Sequence, residues 1–469
     1  MLKNAGILRL FCEILPGSEQ LRANYRGEPV MSLQLKKKLT NVSTLYYLLV
    51  LDKKFSDDRA KIKKKQNKNV HKVMKAAYEI PFYRKRFDEH HLTPDDFHCS
   101  EDLVKFPVLT KAELRAWMKE MYDTHSESRD SWDATSTSGS TGIPLTLYQS
   151  QREHACTNAN WIRVLMTFGY NPFFGKMITF ESSYRKEKKQ HDSILQRFGI
   201  LQRRKLSETR CTPEGMPDVI KDLNDYKPDL ICLRKNCIVR IALYAQEHGL
   251  SIQQPKWYIP VSEMVDEMTR KTLEKTFGPG LVDAYGSDET GSCIIKAPGK
   301  DYYDICNDTH VVNIYDDKNQ LADDGRVIIT PLFKTDFPLI NYDIGDTASS
   351  YVKEGIRYVT KIHGRLNDMV LHENGDSTSV LELRKISNGI TGIAQFRFVQ
   401  ESYHDMRVEL VRDPVDTTCT KEQIADFFLK KLHAIYKDEF RFRIEWLEVI
   451  PPDPNGKLRC FVCQIPKKG

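Results

Sequence analysis

Residues 135–146 read TSTSGSTGIPLT, a run of small polar residues and glycines that stops at Ile143-Pro144. Gly139 and Gly142 permit positive φ and close backbone approach. Successive backbone N–H groups in such a turn form a nest for an anion, and the hydroxyls of Ser138, Ser140 and Thr141 add donors. These are parts for gripping a triphosphate. The run is not a Walker loop, because no Gly-Lys-Ser/Thr follows. A slack linker between domains is the competing reading. Against it, the run leads straight into PLTLYQS, which reads as a strand, and follows a stretch that reads as helical. Cys293, Cys306 and His310 are a second set with metal-ligand chemistry, and buried thiols are the ordinary reading of such cysteines.

Four further stretches follow in order: DAYGSDETG (283–291), PLINYDIGD (338–346), GRLNDMV (364–370) and PNGKLR (454–459). Taken singly, each has a plain explanation. A Tyr-Gly pair ends a strand in a turn, an Asp after Gly is solvated or caps, and a Lys after Asn-Gly sits on a hairpin tip. Taken together, and in this order, the five stretches resemble the adenylate-forming superfamily of acyl-CoA synthetases and peptide-synthetase adenylation domains. The resemblance is closer to its phenylacetate–coenzyme A ligase branch and the CapK-like relatives of capsular polysaccharide biosynthesis. The segment IPFYRKRFDEHHLTPDDFHCSEDLVKFPVLTKAEL is similar to that branch's N-terminal signature, and the likeness runs from about residue 75 to 465.

That resemblance implies a set of roles. Thr137, Ser138, Gly139, Ser140, Thr141 and Gly142 would hold the ATP phosphates, with Thr141 near a Mg2+ ion bound by Glu289. Tyr285, followed by Gly286, would stack on adenine. Asp346 would accept the ribose hydroxyls, and Arg365 would lie near ribose and phosphate. Lys457 would bridge the substrate carboxylate and the α-phosphate. Asn367 and Asp368 would form the hinge on which a small domain turns between half-reactions, with the hairpin LHENGDSTS (371–379) serving the second. The acid pocket would draw on Trp161, Phe168, Glu181, Ser262 and Glu263, although the two aromatics also suit an ordinary core.

The activity so implied is an ATP-dependent, AMP-forming acid ligase with coenzyme A as acceptor. Alternatives are an adenylating ligase with an amine, a hydroxyl on a cell-surface polysaccharide or a carrier-protein thiol as acceptor, and a nucleotide-binding scaffold without catalysis. Three departures stand out. No Lys follows the loop, where Ile143-Pro144-Leu145 stand, as is usual in the phenylacetate-ligase branch. Asn341 and Asp343 occupy positions that are commonly Arg, and Asn367 replaces the usual hinge Asp or Lys.

The elements that must carry these residues can be read from pattern. The chain has 469 residues, too many for one ordinary core. Its 70 basic and 64 acidic residues leave a net charge of +6, small for this length, with lysines clustered at 36–38 and 61–72. No nucleic-acid motif accompanies the clusters, so a solvated helix face is their reading. Eleven scattered cysteines, with no Cys-x-x-Cys pair matched by a second, fit a reducing, cytoplasmic setting. STLYYLLVL at 43–51 is too short to span a bilayer.

Thr110 with Glu113, and Thr420 with Gln423, predict capping boxes. PDLICL (228–233), KWYIPV (256–261) and VIITPL (327–332) predict buried strands, and MPDVIKDLNDY predicts a helix. AQFRFVQ, DMRVELV and FRFRIEWLEVI alternate as half-buried strands do, and Ile424, Phe427, Phe428, Leu432 and Ile435 predict one helix face. The expected architecture is α/β: a helical basic extension (1–75), a large adenylate-forming domain with α/β sheets (76–366) and a small mobile α+β lid domain (367–469).

Overall fold

The structure is a computed structural model. It describes residues 43–44, 46–47, 59–125, 131–137, 145–181, 194–365, 369–380, 383, 386–387, 389–451, 453 and 458–465. Ser138–Gly142, Asn367, Asp368 and Lys457 therefore lie outside the described residues, as do the side chains of Thr137, Glu181 and Arg365.

The first elements are helices α1 (Arg59–Tyr78), α2 (Pro81–Glu89) and α3 (Lys111–Thr124). Helix α1 runs through the expected 75/76 boundary. Most of its lysines face outward, Lys65 pairs with the buried Asp308 at 3.1 Å, and Val70, Val73, Met74 and Ala77 enter the largest core, so this basic helix packs as part of the large unit. Thr110 caps α3 as expected: its hydroxyl accepts from the Glu113 N–H, and the Glu113 carboxylate accepts from the Thr110 N–H at 2.8 Å. Leu109, just before the cap, is fully buried.

Strands β1 (Asp133–Thr137) and β2 (Leu145–Gln149) pair antiparallel, with Thr137 opposite Leu145. Residues 138–144 are thus preceded by a strand, not by the helical stretch expected from sequence. SWDATST carries no apolar alternation, and only its partner in β2 reveals it as a strand. Helix α4 (Gln151–Thr167) follows, opened by a Ser150–Glu153 capping box.

A parallel sheet comes next, built from β3 (Met177–Glu181), β4 (Arg203–Ser207), β5 (Leu230–Arg234) and β6 (Trp257–Val261) in the order β4-β3-β5-β6. Its crossovers include α5 (Met216–Tyr226) and α6 (Lys235–Glu247). One apolar cluster joins the sheet to α5 and α6, and another joins it to α4, so the strands are apolar on both faces. Helix α7 (Glu267–Phe277), capped by Asp266, leads to an antiparallel sheet of β7 (Asp283–Ser287), β8 (Gly291–Lys296) and β9 (Asp304–Ile305).

A four-stranded antiparallel meander completes the large unit: β10 (His310–Tyr315), β11 (Asp324–Pro331), β12 (Tyr342–Lys353) and β13 (Ile356–Arg365). Its inner face, with α1, α2, α3 and β2, forms the largest core. The hairpin of β14 (Met369–Leu371) and β15 (Ser377–Ser379) turns at Gly375, whose φ is +90° and whose N–H donates to the His372 carbonyl. This is the hairpin expected for LHENGDSTS.

The remaining sheet has the order β18-β17-β16-β19, from β16 (Ile393–Gln400), β17 (Asp405–Arg412), β18 (Arg441–Leu447) and β19 (Phe461–Cys463). It is covered by α8 (Lys421–Tyr436), capped by Thr420 and Gln423. A separate apolar cluster from Val370 onward holds this small unit together. Two sequence expectations fail here. Ile435 is 39% exposed and Tyr436 takes the inward position. β16 is buried on both faces, because Arg397 pairs with Glu409 at 2.6 Å and the Gln400 amide exchanges hydrogen bonds with the Leu371 backbone. The small unit rests on α6 and α7: Leu243 packs against Ala394, Val411, Ile450 and Leu458, and Met268 packs against the main cluster.

Candidate active site

Tyr285 lies on β7, and Asp346 lies near the start of β12. Their side chains meet: the Tyr285 hydroxyl donates to Asp346 Oδ2 at 2.7 Å. Gly286 is needed for the approach of β7 to β8. A Cβ placed there would stand 2.2 Å from the Gly291 carbonyl oxygen. Directly across the β12–β13 ladder from Asp346 is Arg365, so the backbone sets these two positions side by side.

The turn after β7 presents Glu289. The turn is held by Ser287, whose hydroxyl accepts from the Thr290 N–H at 3.3 Å. The Glu289 side chain is 5% exposed, and its Oε1 accepts from Lys111 Nζ at 3.2 Å and from the Tyr342 hydroxyl at 3.3 Å. Burial pushes this carboxyl up, but the Lys111 charge and the Ser287 and Lys111 hydrogen bonds outweigh it, and the net shift is downward. Glu289 is therefore an anion in a nearly dry setting. Mg2+ takes one or two carboxylates and fills its remaining positions with waters and phosphate oxygens, so a single buried carboxylate is a fit donor for that ion. Glu289 would hold it there, with Thr141 as the second expected ligand.

Lys334 lies beneath the same corner, buried. Burial lowers its pKa, and the neighbouring Glu153 and Glu289 only partly offset this. Glu153 accepts from the Asp336 and Phe337 N–H groups at 2.8 and 3.0 Å, and burial raises its pKa against the pull of Lys334. Sequence reading missed Lys111, Tyr342, Glu153 and Lys334. Lys334 carried a signal, being a lone cation inside the apolar run VIITPLFKTDFPLI. So did Lys111, because a cation at the first position of a helix opposes the helix dipole.

The two departures at Asn341 and Asp343 have local reasons. Asn341 is buried with φ +50°, a left-handed conformation that Asn tolerates better than Arg. Its amide donates to the Leu103 and Phe106 carbonyls at 2.6 and 2.8 Å. Asp343 is neutralised by Arg326 at 2.7 Å. Neither change leaves a loose charge.

The expected pocket residues separate. The parallel bridge between Tyr258 and Leu281 aligns β6 with the segment entering β7, so Ser262 and Tyr285 each stand four residues beyond it. Ser262 has φ +75° and is exposed, and both Glu263 carboxyl oxygens are buried. Trp161 packs on the apolar cluster that also carries Val261 and Ala284. Phe168 instead sits against Trp257, ring centroids 5.6 Å apart, at the opposite end of β6 from Ser262.

Cys293 and Cys306 are buried in two different clusters. Both nitrogens of His310 are engaged: Nε2 donates to the Thr290 carbonyl at 2.9 Å and Nδ1 accepts from the Thr309 hydroxyl at 3.0 Å. Among the described residues no group of three or more His, Cys, Asp or Glu side chains could hold a metal ion, and no helix is long and apolar enough to cross a membrane.

No family model matches the chain. Phenylacetate-coenzyme A ligase of Pseudomonas putida is 24% identical over 328 residues, covering 64% of this chain and 69% of that protein. Protein CapK of Staphylococcus aureus is 24% identical over 269 residues, covering 55% of this chain and 58% of CapK, less than two thirds of its length. Among solved structures, 2-hydroxyisobutyryl-CoA ligase in the postadenylation state in complex with R3-HIB-AMP overlays with a TM-score of 0.68 at 16% identity, covering 87% of this chain and 90% of that one. The same ligase with 2-HIB-AMP and CoA in the thioesterification state overlays at 0.55 and 18% identity, with the same shares covered. Sequence thus relates the chain to the phenylacetate-coenzyme A ligases and CapK, and its mixed α/β architecture is that of the acyl-CoA ligases of the adenylate-forming superfamily.

Proposed function

We propose that this protein is an ATP-dependent, AMP-forming carboxylic acid ligase. The carboxylate oxygen attacks the α-phosphorus of ATP, the bond to the β-phosphate oxygen breaks, and pyrophosphate leaves with the electron pair. The observation that carries this reading is the meeting of two stretches: Tyr285 bonds Asp346 across 61 positions, and Glu289, from the turn just after Tyr285, bonds Tyr342 across 53. Tyr285 offers a ring to adenine, and Asp346 offers a carboxylate to the ribose hydroxyls. Glu289 would hold a Mg2+ ion, which would neutralise phosphate charge. In the same reading Thr137, Ser138, Gly139, Ser140, Thr141 and Gly142 hold the phosphates, Arg365 and Lys457 supply positive charge where two anions meet, and Asn367 and Asp368 are the hinge between the large unit and the lid.

Coenzyme A is the acceptor we favour, giving an acyl thioester. In a second reading an amine, a hydroxyl on a cell-surface polysaccharide or a carrier-protein thiol takes the acyl group. Ser262, Glu263 and Trp161 are the residues we assign to the acid pocket, and Phe168 is better explained as a core aromatic. Pyrophosphate release with a panel of carboxylic acids, with and without coenzyme A, tests the proposal. Acid-dependent release supports adenylation, and a coenzyme A-dependent burst of thioester selects the first acceptor. ATP binding without pyrophosphate release from any acid would favour an inactive scaffold.

A further inference from the structure

The phosphate loop of this chain is followed by Ile143-Pro144-Leu145 and so has no lysine of its own. The folded chain brings one from elsewhere. Lys111 is separated from Glu289 by 178 positions in sequence, yet its ammonium lies 3.2 Å from the Glu289 carboxylate. Its placement is built. Leu109 pairs with the start of β12, its N–H donating to the Asn341 carbonyl at 2.9 Å and its carbonyl accepting from the Asp343 N–H at 3.0 Å. The Thr110 cap then fixes Lys111 as the first residue of α3. The same short ladder carries Tyr342, which bonds the same Glu289 oxygen.

Two features set this lysine apart from an ordinary ion-pair partner. It occupies a helix N-terminus, where the helix dipole disfavours a cation, so the fold holds it there against its own electrostatics. It is also 27% exposed while Glu289 is 5% exposed, so the ammonium is the more accessible member of the pair.

We propose that Lys111 is a phosphate-binding residue of this site, supplying the cation that the loop lacks. In the nucleotide-free protein it neutralises Glu289. With a Mg2+ ion held by Glu289, the Lys111 ammonium would be released from this pair, and its flexible stem would let it donate to phosphate oxygens of the nucleotide. This deepens the adenylation reading and rests on it for the identity of the polyphosphate.

The test uses two neutral variants of the full chain, K111M and K111Q. The glutamine amide retains an N–H donor on a stem one bond shorter, so K111Q removes the charge and keeps hydrogen-bonding capacity toward Glu289. Affinity for Mg2+–pyrophosphate is measured by calorimetry, and Mn2+ binding to the nucleotide-free protein by electron paramagnetic resonance. Both variants should bind Mg2+–pyrophosphate at least tenfold more weakly. Both should bind Mn2+ more tightly than wild type, because the competing ammonium is gone. Acid-dependent ATP–pyrophosphate exchange should fall about a hundredfold, the scale for one preorganised electrostatic contact.

Wild-type pyrophosphate affinity in either folded variant overturns the proposal. So does a variant that only melts earlier, or loses pyrophosphate binding in K111M but not in K111Q, since either pattern marks a structural contact. If wild type shows no exchange with any acid, yet pyrophosphate binding still depends on Lys111, the adenylation reading fails and the phosphate role stands.

Discussion

At position 289 a carboxylate is held by two donors on one oxygen, and the local balance keeps it ionised despite burial. Glu289→Gln removes the charge and keeps the shape. It should preserve the fold and raise the Mg2+ concentration giving half-maximal rate by an order of magnitude or more, since a neutral amide is a poor partner for a hard dication. An unmoved Mg2+ dependence would remove Glu289 from the metal site. Behind it, His310 is buried and neutral, its pKa pushed down to about 4 by burial, below the ordinary value of 6.5. Between those values the unfolded chain carries the extra proton. The buried neutral ring therefore costs no stability above about pH 6.5 and destabilises the fold progressively as pH falls toward 4, by up to about 1.4 kcal/mol per pH unit. Urea unfolding at pH 7, 6 and 5 should show a steeper loss for wild type than for His310→Gln. Parallel slopes would contradict the assignment. What sequence revealed at this scale was residue type and order. That Lys111 would reach Glu289 was not legible, because the contact is made by a strand ladder and a cap acting together across 178 positions.

Elements with strong local signals came out close to their observed limits. MPDVIKDLNDY is the helix Met216–Tyr226, where a proline in the first turn and apolar residues at helical spacing agree. Both Thr-x-x-Glu/Gln boxes cap helices. The strand Asp133–Thr137 was missed because its residues are polar and its partner alone defines it. The strand Ile393–Gln400 was read as half-buried because Gln395, Arg397 and Gln400 look solvated, yet Glu409 and the Leu371 backbone satisfy Arg397 and Gln400 inside. The two caps make a paired experiment. Thr110→Ala and Thr420→Ala should each cost about 1 kcal/mol of stability. Only the first should also weaken Mg2+–pyrophosphate binding, because it loosens the helix end that carries Lys111. Equal nucleotide affinity in the two variants would show that the cap serves α3 alone.

On the scale of the molecule, the small unit rests on the two helices that flank β6, through Leu243 and Met268, while the proposed hinge lies between β13 and β14. If that unit turns between half-reactions, Asn367→Pro should uncouple them, since proline fixes φ and restricts the residue before it. Single-turnover pyrophosphate release should persist while acyl transfer slows, or the reverse if the other orientation is trapped. Wild-type rates in both steps would place the hinge elsewhere. The central claim, direct attack of a carboxylate on the α-phosphate, has one decisive measurement. An acid that supports pyrophosphate release is supplied with 18O in its carboxylate, and the nucleotide product is examined by mass spectrometry. The account predicts AMP carrying one 18O per turnover, because the bridging oxygen of the acyl-adenylate stays with phosphorus when the acyl group is transferred. Unlabelled AMP, or ADP with the label in inorganic phosphate, would contradict it.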